Sequence, residues 1–279
     1  MSERKITEEM VRKYKYYLVS EEKSPVTIEK YIRDIKFFML YAGQKNITKD
    51  IVIGYKAYLF ESEYKPRSIN SMIASINGLF EWRGWIDCKV KFLKIQAETY
   101  CPKEKELTKA EYRRLVNAAA GNKQLQLVIE TICSTGIRVS ELKYFTVETV
   151  KKGEITVNCK GKTRTILIPG KLKKLLLNYT KKTGISTGVI FMSRKRTPLN
   201  RSTIWAQMKN LCKKAGVFPE KVFPHNLRKL FARTFYSIEK DIAKLADILG
   251  HTSINTTRIY IMTTSAEHRR KIERLGLTI

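Results

Sequence analysis

Histidine and cysteine are scarce in this chain, which has three histidines and five cysteines among 279 residues. So few histidines leave little material for a dense zinc cluster, and no two cysteines form the CxxC pair that such sites often use. The five cysteines are an odd number scattered along the chain and form no disulfide framework. We therefore expect reduced cysteines, a cytoplasmic protein, and no metal or other cofactor.

Long apolar runs are also absent. No stretch of about 18 apolar residues occurs, as a membrane-spanning helix would require. The first ten residues, MSERKITEEM, lack the apolar segment of a secretory signal peptide. Hydrophobic residues still make up 43% of the chain, which is a normal proportion for a globular protein. The sequence therefore predicts a folded protein with no membrane partner.

Acidic residues are few relative to basic ones. The chain has 26 Asp and Glu against 54 Lys and Arg, which gives a formal net charge of +28. Such self-repulsion does not favour folding, so it indicates a polyanionic partner. Nucleic acid fits best, because each cation that binds a phosphate releases a counterion. A protein that is merely lysine-rich ranks second, because this charge exceeds what solubility requires.

The length predicts two domains, and apolar spacing predicts that both are mainly helical. Apolar residues recur at helical intervals in four segments of the first third, and Ser24 followed by Pro25 marks one helix start. Further on, EITVNC and RTILIP are short β-branched runs joined by the basic turn KGKT, which predicts a small antiparallel hairpin. The predicted fold is a four-helix bundle over 1–96, a linker over 97–106, and a mostly helical domain with a small antiparallel β-sheet over 107–279.

Five short segments of the second half carry polar residues that suit chemistry on a phosphodiester. Two arginines can clamp the non-bridging oxygens of a phosphate through paired N–H donors. A lysine can protonate the leaving 5′-oxygen, histidines can move protons, and a tyrosine can attack phosphorus. The segments are STGIRVSEL with Arg138, CKGKTR with Lys160, HNLRKLF with His225 and Arg228, LGHTS with His251, and TTRIY with Tyr260.

The strings TGIRVSEL and LGHTSINTTRIY together resemble the tyrosine recombinase (phage integrase) family, and within it the Xer-like and mobile-element members. The resemblance extends over nearly the whole chain and implies a SAM-like core-binding domain, a linker and a catalytic domain. One departure is Lys229, where the family often has histidine. The family pattern implies Arg138 and Arg228 as a phosphate clamp supported by Glu141, Lys160 as general acid with Lys162 as the alternative, His225 in proton transfer, His251 on the phosphate, and Tyr260 as nucleophile.

Basic residues outside these roles are candidate contacts to double-stranded DNA. Some recur at helical spacing, and others lie at a helix start, beside the hairpin turn or in a basic loop. For each one, a solvated surface charge is an equally good interpretation. The candidates are Lys30, Arg33, Lys36, Lys65, Arg67, Ser68, Lys162, Arg164, Arg194, Lys195 and Arg196.

The resemblance implies a metal-independent enzyme that cleaves and rejoins DNA at specific sites through a 3′-phosphotyrosyl intermediate. Integration, excision or inversion of a mobile element is the favoured task, and Xer-type chromosome-dimer resolution is the alternative. A type IB topoisomerase that relaxes DNA shares much of the residue set and is the second hypothesis. A catalytically silent DNA-binding regulator is the third, which the complete residue set disfavours.

Strand exchange between two duplexes needs four active sites, so the family implies a homotetramer on DNA. The apolar tail, with Ile272, Leu275, Leu277 and Ile279, is the candidate contact between protomers. Accessory DNA-bending or directionality proteins are further candidate partners. We expect all three tryptophans to lie in the core, namely Trp82, Trp85 and Trp205.

Overall fold

The structure is a computed structural model that describes residues 4–96, 106–159, 162–262 and 265–277. The chain divides into two compact units, Met1–Ala97 and Glu98–Ile279. Over the described ranges the regular structure is mainly helical, with one two-stranded antiparallel sheet. The predicted fold class is therefore confirmed. The predicted linker lies, except for its last residue, outside the described residues.

The first unit is a bundle of four helices followed by a turn of 3₁₀ helix at Ile86–Cys88. The side chains of Thr7, Ser24 and Thr48 each accept a hydrogen bond from the first turn of the helix that follows. Each bond satisfies a backbone donor that a helix start leaves without a partner. The helices are α1 (Glu8–Ser20), α2 (Pro25–Ala42), α3 (Lys49–Glu61) and α4 (Pro66–Arg83).

Aromatic and aliphatic side chains form the core of the first unit. The ring centroids of Phe38 and Tyr55 lie 4.9 Å apart, and Phe38 meets Phe80 at 6.2 Å. All three side chains are buried, and each such ring removes on the order of 150–250 Å² from water. Trp82 and Trp85 pack against the same core, as the sequence predicts.

The second unit surrounds a larger core with short helices and the hairpin. No helix in the described part of the chain is both long enough and apolar enough to cross a membrane. Short 3₁₀ helices interrupt the chain, and one of them, Val139–Tyr144, follows α6. The helices are α5 (Lys109–Ala118), α6 (Lys123–Thr135), α7 (Val147–Lys152), α8 (Gly170–Thr183), α9 (Arg201–Asn210), α10 (Cys212–Ala215), α11 (Pro224–Glu239), α12 (Ile242–Leu249), α13 (Ile254–Ile261) and α14 (Ser265–Glu273).

The hairpin consists of β1 (Glu154–Cys159) and β2 (Lys162–Leu167) in antiparallel register. Ile155 pairs with Ile166, and Val157 pairs with Arg164. Because side chains alternate between the two faces of a strand, Arg164 and Ile166 share one face of β2. The three apolar members of these pairs are buried, so this face turns toward the core and takes Arg164 with it.

Two left-handed backbone turns divide the C-terminal part of the second unit. α11 ends at Lys240 with φ of 60°, and α12 ends at Gly250 with φ of 63°. Between the helices lies a small separate core that includes Leu245, Leu249 and Tyr260. The turns therefore fold α12 and α13 back against α11, where the candidate site residues lie.

Candidate active site

Arg138 stands directly after a helix end. Gly136 ends α6 in the left-handed backbone region, with φ of 64°. The carboxylate of Glu141 accepts hydrogen bonds from the Arg138 backbone N–H at 2.7 Å and from Arg138 Nη1 at 3.3 Å. Arg138 Nη2 donates to the Gly250 carbonyl at 3.1 Å. The side chain is 36% exposed, so further guanidinium donors are open to a ligand.

His225 and Arg228 lie three residues apart, about one helical turn, at the start of α11, which begins at Pro224. Arg228 is only 1% exposed, and its Nη1 and Nη2 donate to the carbonyl oxygens of Gly136 and Leu249. Burial lowers the pKa of Arg228 to about 10, so the side chain stays protonated at neutral pH. His225, Arg138 and Arg228 line one cleft.

Tyr260 projects from α13 into the space between two histidines. Its ring centroid lies 5.0 Å from that of His225 and 4.8 Å from that of His251. The guanidinium carbon of Arg228 lies 5.9 Å from the tyrosine ring centroid. The phenol oxygen is 3.5 Å from His225 Nδ1, at the long limit of a hydrogen bond. The residue is 8% exposed, so its ring is fixed by packing while its hydroxyl group faces His225.

His251 is held in one tautomer by its two neighbours. Its Nε2 lies 3.0 Å from Arg228 Nη2, and its Nδ1 lies 2.9 Å from Thr257 Oγ1. A guanidinium only donates, so Nε2 accepts and the proton of the neutral ring sits on Nδ1. The Nδ1–H group then donates to the hydroxyl oxygen of Thr257, which is fully buried. Two hydrogen bonds thereby connect α11, the His251 ring and α13.

Both histidines have pKa values lowered to about 4. Loss of solvent is the largest cause for each ring, and nearby cations add to it. Lys229 and Arg228 are the main cations for His225, whereas Arg228 and Arg138 are the main ones for His251. Both rings are therefore neutral at pH 7, and His225 has a nitrogen that can accept a proton.

Arg138, His225, Arg228 and Tyr260 line a cleft of about 1160 Å³. Residues of α9 contribute to its lining, among them Arg201 and Trp205. Trp205 is 49% exposed, so the prediction that it lies in the core is wrong. The reason is that α9 buries Ile204 and Met208 instead, which leaves the neighbouring tryptophan on the cleft side.

The lysine of the proposed residue set is not placed. Lys160 lies outside the described residues. Lys162 begins β2 opposite Cys159. The assignment of Lys160, with Lys162 as the alternative, therefore stays a prediction. Among the residues that the structure describes, no group of three or more His, Cys, Asp or Glu side chains could hold a metal ion.

The predicted DNA contacts differ in their placement. Lys30 forms an ion pair at 2.8 Å with Asp34, whose side chain is buried, so its charge is used within the first unit. Arg33 contacts the other oxygen of Asp34, and Lys36 contacts Glu8, but both cations remain exposed. Six further candidates are exposed at the start of α4 and in the loop before α9, namely Lys65, Arg67, Ser68, Arg194, Lys195 and Arg196.

Arg164, which the sequence predicts as a DNA contact, points into the protein instead. Its side chain is 9% exposed, and its Nη2 lies 2.5 Å from Glu141 Oε2. Its Nη1 donates to the Ile248 carbonyl oxygen. The alternation of β2 is the sequence signal for this position, because it sets Arg164 on the same face as Ile166. Thr257, which orients a histidine, had no comparable signal in the sequence.

Two protein-family models match this chain. A model described as the phage integrase family matches residues 105–267, and one described as phage integrase, N-terminal SAM-like domain matches residues 11–85. Tyrosine recombinase XerA of Pyrococcus furiosus is 33% identical over 181 residues, which are 62% of this chain and 62% of the relative. That match thus spans less than two thirds of the relative. Tyrosine recombinase XerA of Thermococcus kodakarensis is 28% identical over 273 residues, 95% of this chain and 94% of the relative.

Solved structures of lambda integrase share the fold. A dimer bound to a COC' core site has a TM-score of 0.75 and 20% identity, and the match covers 91% of this chain and 95% of that one. A tetramer bound to a Holliday junction has a TM-score of 0.74 and 20% identity, over 90% of this chain and 76% of that one. At this level of identity the likeness concerns the fold alone.

Proposed function

The chain belongs to the phage integrase family, and from this membership we propose that it is a site-specific DNA recombinase that acts through Tyr260. In the proposed reaction the Tyr260 phenol oxygen attacks the scissile phosphorus, a Tyr–O–P bond forms, and the P–O5′ bond breaks. The products are a 3′-phosphotyrosyl link and a free 5′-hydroxyl group. A 5′-hydroxyl of a partner strand reverses the step, so the phosphodiester bond energy is conserved.

The observation that carries this proposal is the position of the Tyr260 ring among His225, His251 and Arg228. A phenol with a pKa of about 10 is a poor nucleophile at neutral pH, so it needs a base and nearby positive charge. His225 Nδ1 lies 3.5 Å from the phenol oxygen of Tyr260. We assign it to receive the phenol proton as the new bond forms.

Arg138 and Arg228 supply the positive charge. Negative charge builds up on the non-bridging oxygens as the phenol attacks, and guanidinium donors aimed at those oxygens stabilise it. Glu141 holds Arg138 through both its backbone and its side chain, so the guanidinium is oriented before substrate binds. The leaving 5′-oxygen takes its proton from Lys160, with Lys162 as the alternative.

Double-stranded DNA is the proposed substrate. A net charge of +28 favours association with a phosphate backbone. Exposed basic groups in both units, such as Arg67 and Arg194, are available for phosphate contacts. Such contacts position the protein on the duplex, whereas the target sequence is read by contacts to base edges.

A homotetramer on DNA is the proposed assembly, as in the lambda integrase tetramer on a Holliday junction. Ile272, Leu275 and Leu277 are exposed apolar residues in and after α14, and a neighbouring protomer would remove them from water. Deleting residues 265–279 is expected to prevent pairing of two DNA sites while single-site binding persists. Unchanged recombination by the truncated protein would contradict this role.

Movement or inversion of a mobile element is the proposed biological task, assisted where needed by DNA-bending or directionality proteins. Xer-type resolution of chromosome dimers is the second candidate, because two relatives carry the name XerA. Mapping the bound sites of a Tyr260→Phe variant across the source genome separates the two. Sites at the ends of a mobile element support the first task, and one isolated chromosomal site supports the second.

The chemistry is tested with a trapped substrate. Selection of duplexes bound by Tyr260→Phe gives the target sequence, and a nick beside the scissile phosphate lets the short 5′-hydroxyl fragment diffuse away. Wild type is expected to form a protein–DNA adduct that resists SDS, whereas Tyr260→Phe forms none. Supercoil relaxation without preference for a site would instead indicate a topoisomerase and contradict the proposal.

A further inference from the structure

Three arginines meet at the C-terminal end of α12. A helix end carries unpaired carbonyl groups and partial negative charge, so it attracts cations. Two of these arginines are the proposed phosphate clamp, and the third comes from β2. Three consecutive carbonyl oxygens each accept a hydrogen bond from a different guanidinium: Ile248 from Arg164, Leu249 from Arg228, and Gly250 from Arg138.

Arg164 and Arg138 also share one carboxylate. Arg164 Nη2 lies 2.5 Å from Glu141 Oε2, and the same oxygen accepts a hydrogen bond from the Arg138 backbone N–H at 2.7 Å. The other oxygen, Oε1, makes a longer contact of 3.3 Å with Arg138 Nη1. Glu141 is buried, and a buried carboxylate is stable only when cations and donors compensate it. Both arginines therefore contribute to holding Glu141 in place.

The shared carboxylate limits how closely Arg138 is drawn to Glu141. Arginine and carboxylate favour two parallel hydrogen bonds when nothing competes. Because Arg164 occupies Oε2, Arg138 makes only one long side-chain contact with Glu141, and its Nη2 remains bonded to Gly250. Loss of Arg164 would free Oε2 for a paired contact. Arg138 would then turn toward Glu141 and away from the cleft.

The position of Arg164 is itself fixed along its length. Its backbone lies in β2 opposite Val157, and its alkyl chain passes over Gly250. A Cβ atom added at Gly250 would lie 2.6 Å from Arg164 Cδ. The two Nη groups then reach Glu141 and the end of α12. Because its backbone, its alkyl chain and its guanidinium group are all held in place, Arg164 is suited to fix the positions of neighbouring side chains.

We propose that Arg164 is a positioning residue, which holds Glu141 and the end of α12 so that Arg138 presents its remaining donors to the scissile phosphate. This inference rests on the proposed function and assigns a role to a residue outside the phosphate clamp. Arg164 itself makes no contact with DNA, because its Nη groups bond Ile248 and Glu141 and, unlike Arg228, it does not line the cleft. The residue therefore affects the rate of cleavage through Arg138 and leaves DNA affinity unchanged.

The test compares two substrates in single-turnover formation of the covalent adduct. One carries the native scissile phosphate, and the other carries a methylphosphonate, in which a methyl group replaces one charged non-bridging oxygen. Arg164→Ala is expected to slow the native reaction about 100-fold, since a shift of about 1 Å in a reacting group has that effect. On the neutral methylphosphonate most of this loss should disappear, because little charge then needs the clamp. Arg138→Ala serves as the reference and should show the same pattern.

Arg164→Lys provides a second variant that keeps a cation beside Glu141. Its single ammonium group cannot reach the carboxylate and the Ile248 carbonyl in the same way, so we expect an intermediate loss of rate with the same recovery on methylphosphonate. If Arg164→Ala fails to fold, Arg164→Lys is the variant that tests the proposal. Arg113→Gln, at an exposed position on α5, is the matched control and should cleave both substrates like wild type.

Three results would overturn the inference. The first is a wild-type rate for the Arg164 variants on native DNA. The second is an equal loss on both substrates, which would mean general damage to the fold. The third is weaker DNA binding with a shallower salt dependence, which would mean a direct phosphate contact. If wild type itself forms no adduct in this assay, the proposed recombinase function fails, whereas failure of Arg164 variants alone leaves that function standing.

Discussion

Replacing Arg228 with lysine keeps the buried positive charge but removes the fork of donors. The two Nη groups of Arg228 bond the carbonyl oxygens of Gly136 and Leu249, and Nη2 also meets His251. A lysine ammonium at this position serves one of the two carbonyls. The other carbonyl is left buried without a donor, which costs about 1–3 kcal/mol. At about 2–4 °C per kcal/mol for a domain of this size, the melting temperature should fall by about 2–12 °C.

The cleavage rate of Arg228→Lys should fall far more than this loss of stability implies. In the proposed reaction the phosphate loses a guanidinium donor, and removal of one such donor typically lowers the rate about 100- to 1,000-fold. The assay is single-turnover adduct formation on the nicked duplex, at a temperature where thermal unfolding shows the variant to be fully folded. Under that condition the two effects are measured separately.

Arg233→Lys is the matched control on the same helix. Arg233 donates to the Leu107 carbonyl at 2.7 Å and pairs with Glu106 at 3.2 Å, and its side chain is 15% exposed. Its replacement should lower the melting temperature by a similar amount and leave the cleavage rate unchanged. The reasoning is refuted if folded Arg228→Lys cleaves at the wild-type rate, or if Arg233→Lys is as slow as Arg228→Lys.

Four further outcomes are expected. Because His225 and His251 have pKa values of about 4, kcat/KM for cleavage should show no inflection near the ordinary histidine pKa of about 6.5. Between about pH 4 and about pH 6.5 the unfolded chain binds more protons on these histidines than the folded chain does. The melting temperature should therefore fall as the pH is lowered through this range. A melting temperature that does not change with pH in this range would contradict the assignment. DNA binding should weaken about 1,000-fold or more from roughly 50 to 200 mM salt if about 6–10 phosphates are contacted, and a shallow slope in a filter-binding titration would argue against backbone contacts. Gly136→Ala should lower both melting temperature and cleavage rate, because its φ is 64° and the added methyl group would overlap the Phe231 ring; wild-type behaviour would show that this turn does not hold Arg228.

Five of the side chains that the sequence singles out lie in or beside one cleft, and local signals explain why they could be found. Arg138 follows a glycine that ends one helix, and His251 follows a glycine that ends another. His225 and Arg228 lie about one helical turn apart at the start of α11. Helix ends and glycine turns are visible in a sequence, because they depend on residues close along the chain. Tyr260 could be identified from the sequence only because it is the last residue of the string LGHTSINTTRIY.

The sequence could not show which cations form contacts inside the protein. Arg164 bonds the carbonyl oxygen of Ile248, 84 residues away, so its role depends on how the hairpin packs against α12. Lys30 pairs with a buried carboxylate four residues later, although its spacing fits a solvated basic face equally well. Composition shows that cations are in excess, but only packing decides which of them are used inside the protein.

The central claim is that Tyr260 is the residue that attacks the scissile phosphate. The most direct measurement is to trap the adduct on a nicked duplex, digest the protein and the DNA, and identify the peptide that carries the residual nucleotide by mass spectrometry. The account predicts one modified peptide, with the nucleotide on Tyr260, and no modified peptide from Tyr260→Phe. A nucleotide on any other side chain, such as Tyr236 at the end of α11, would contradict it.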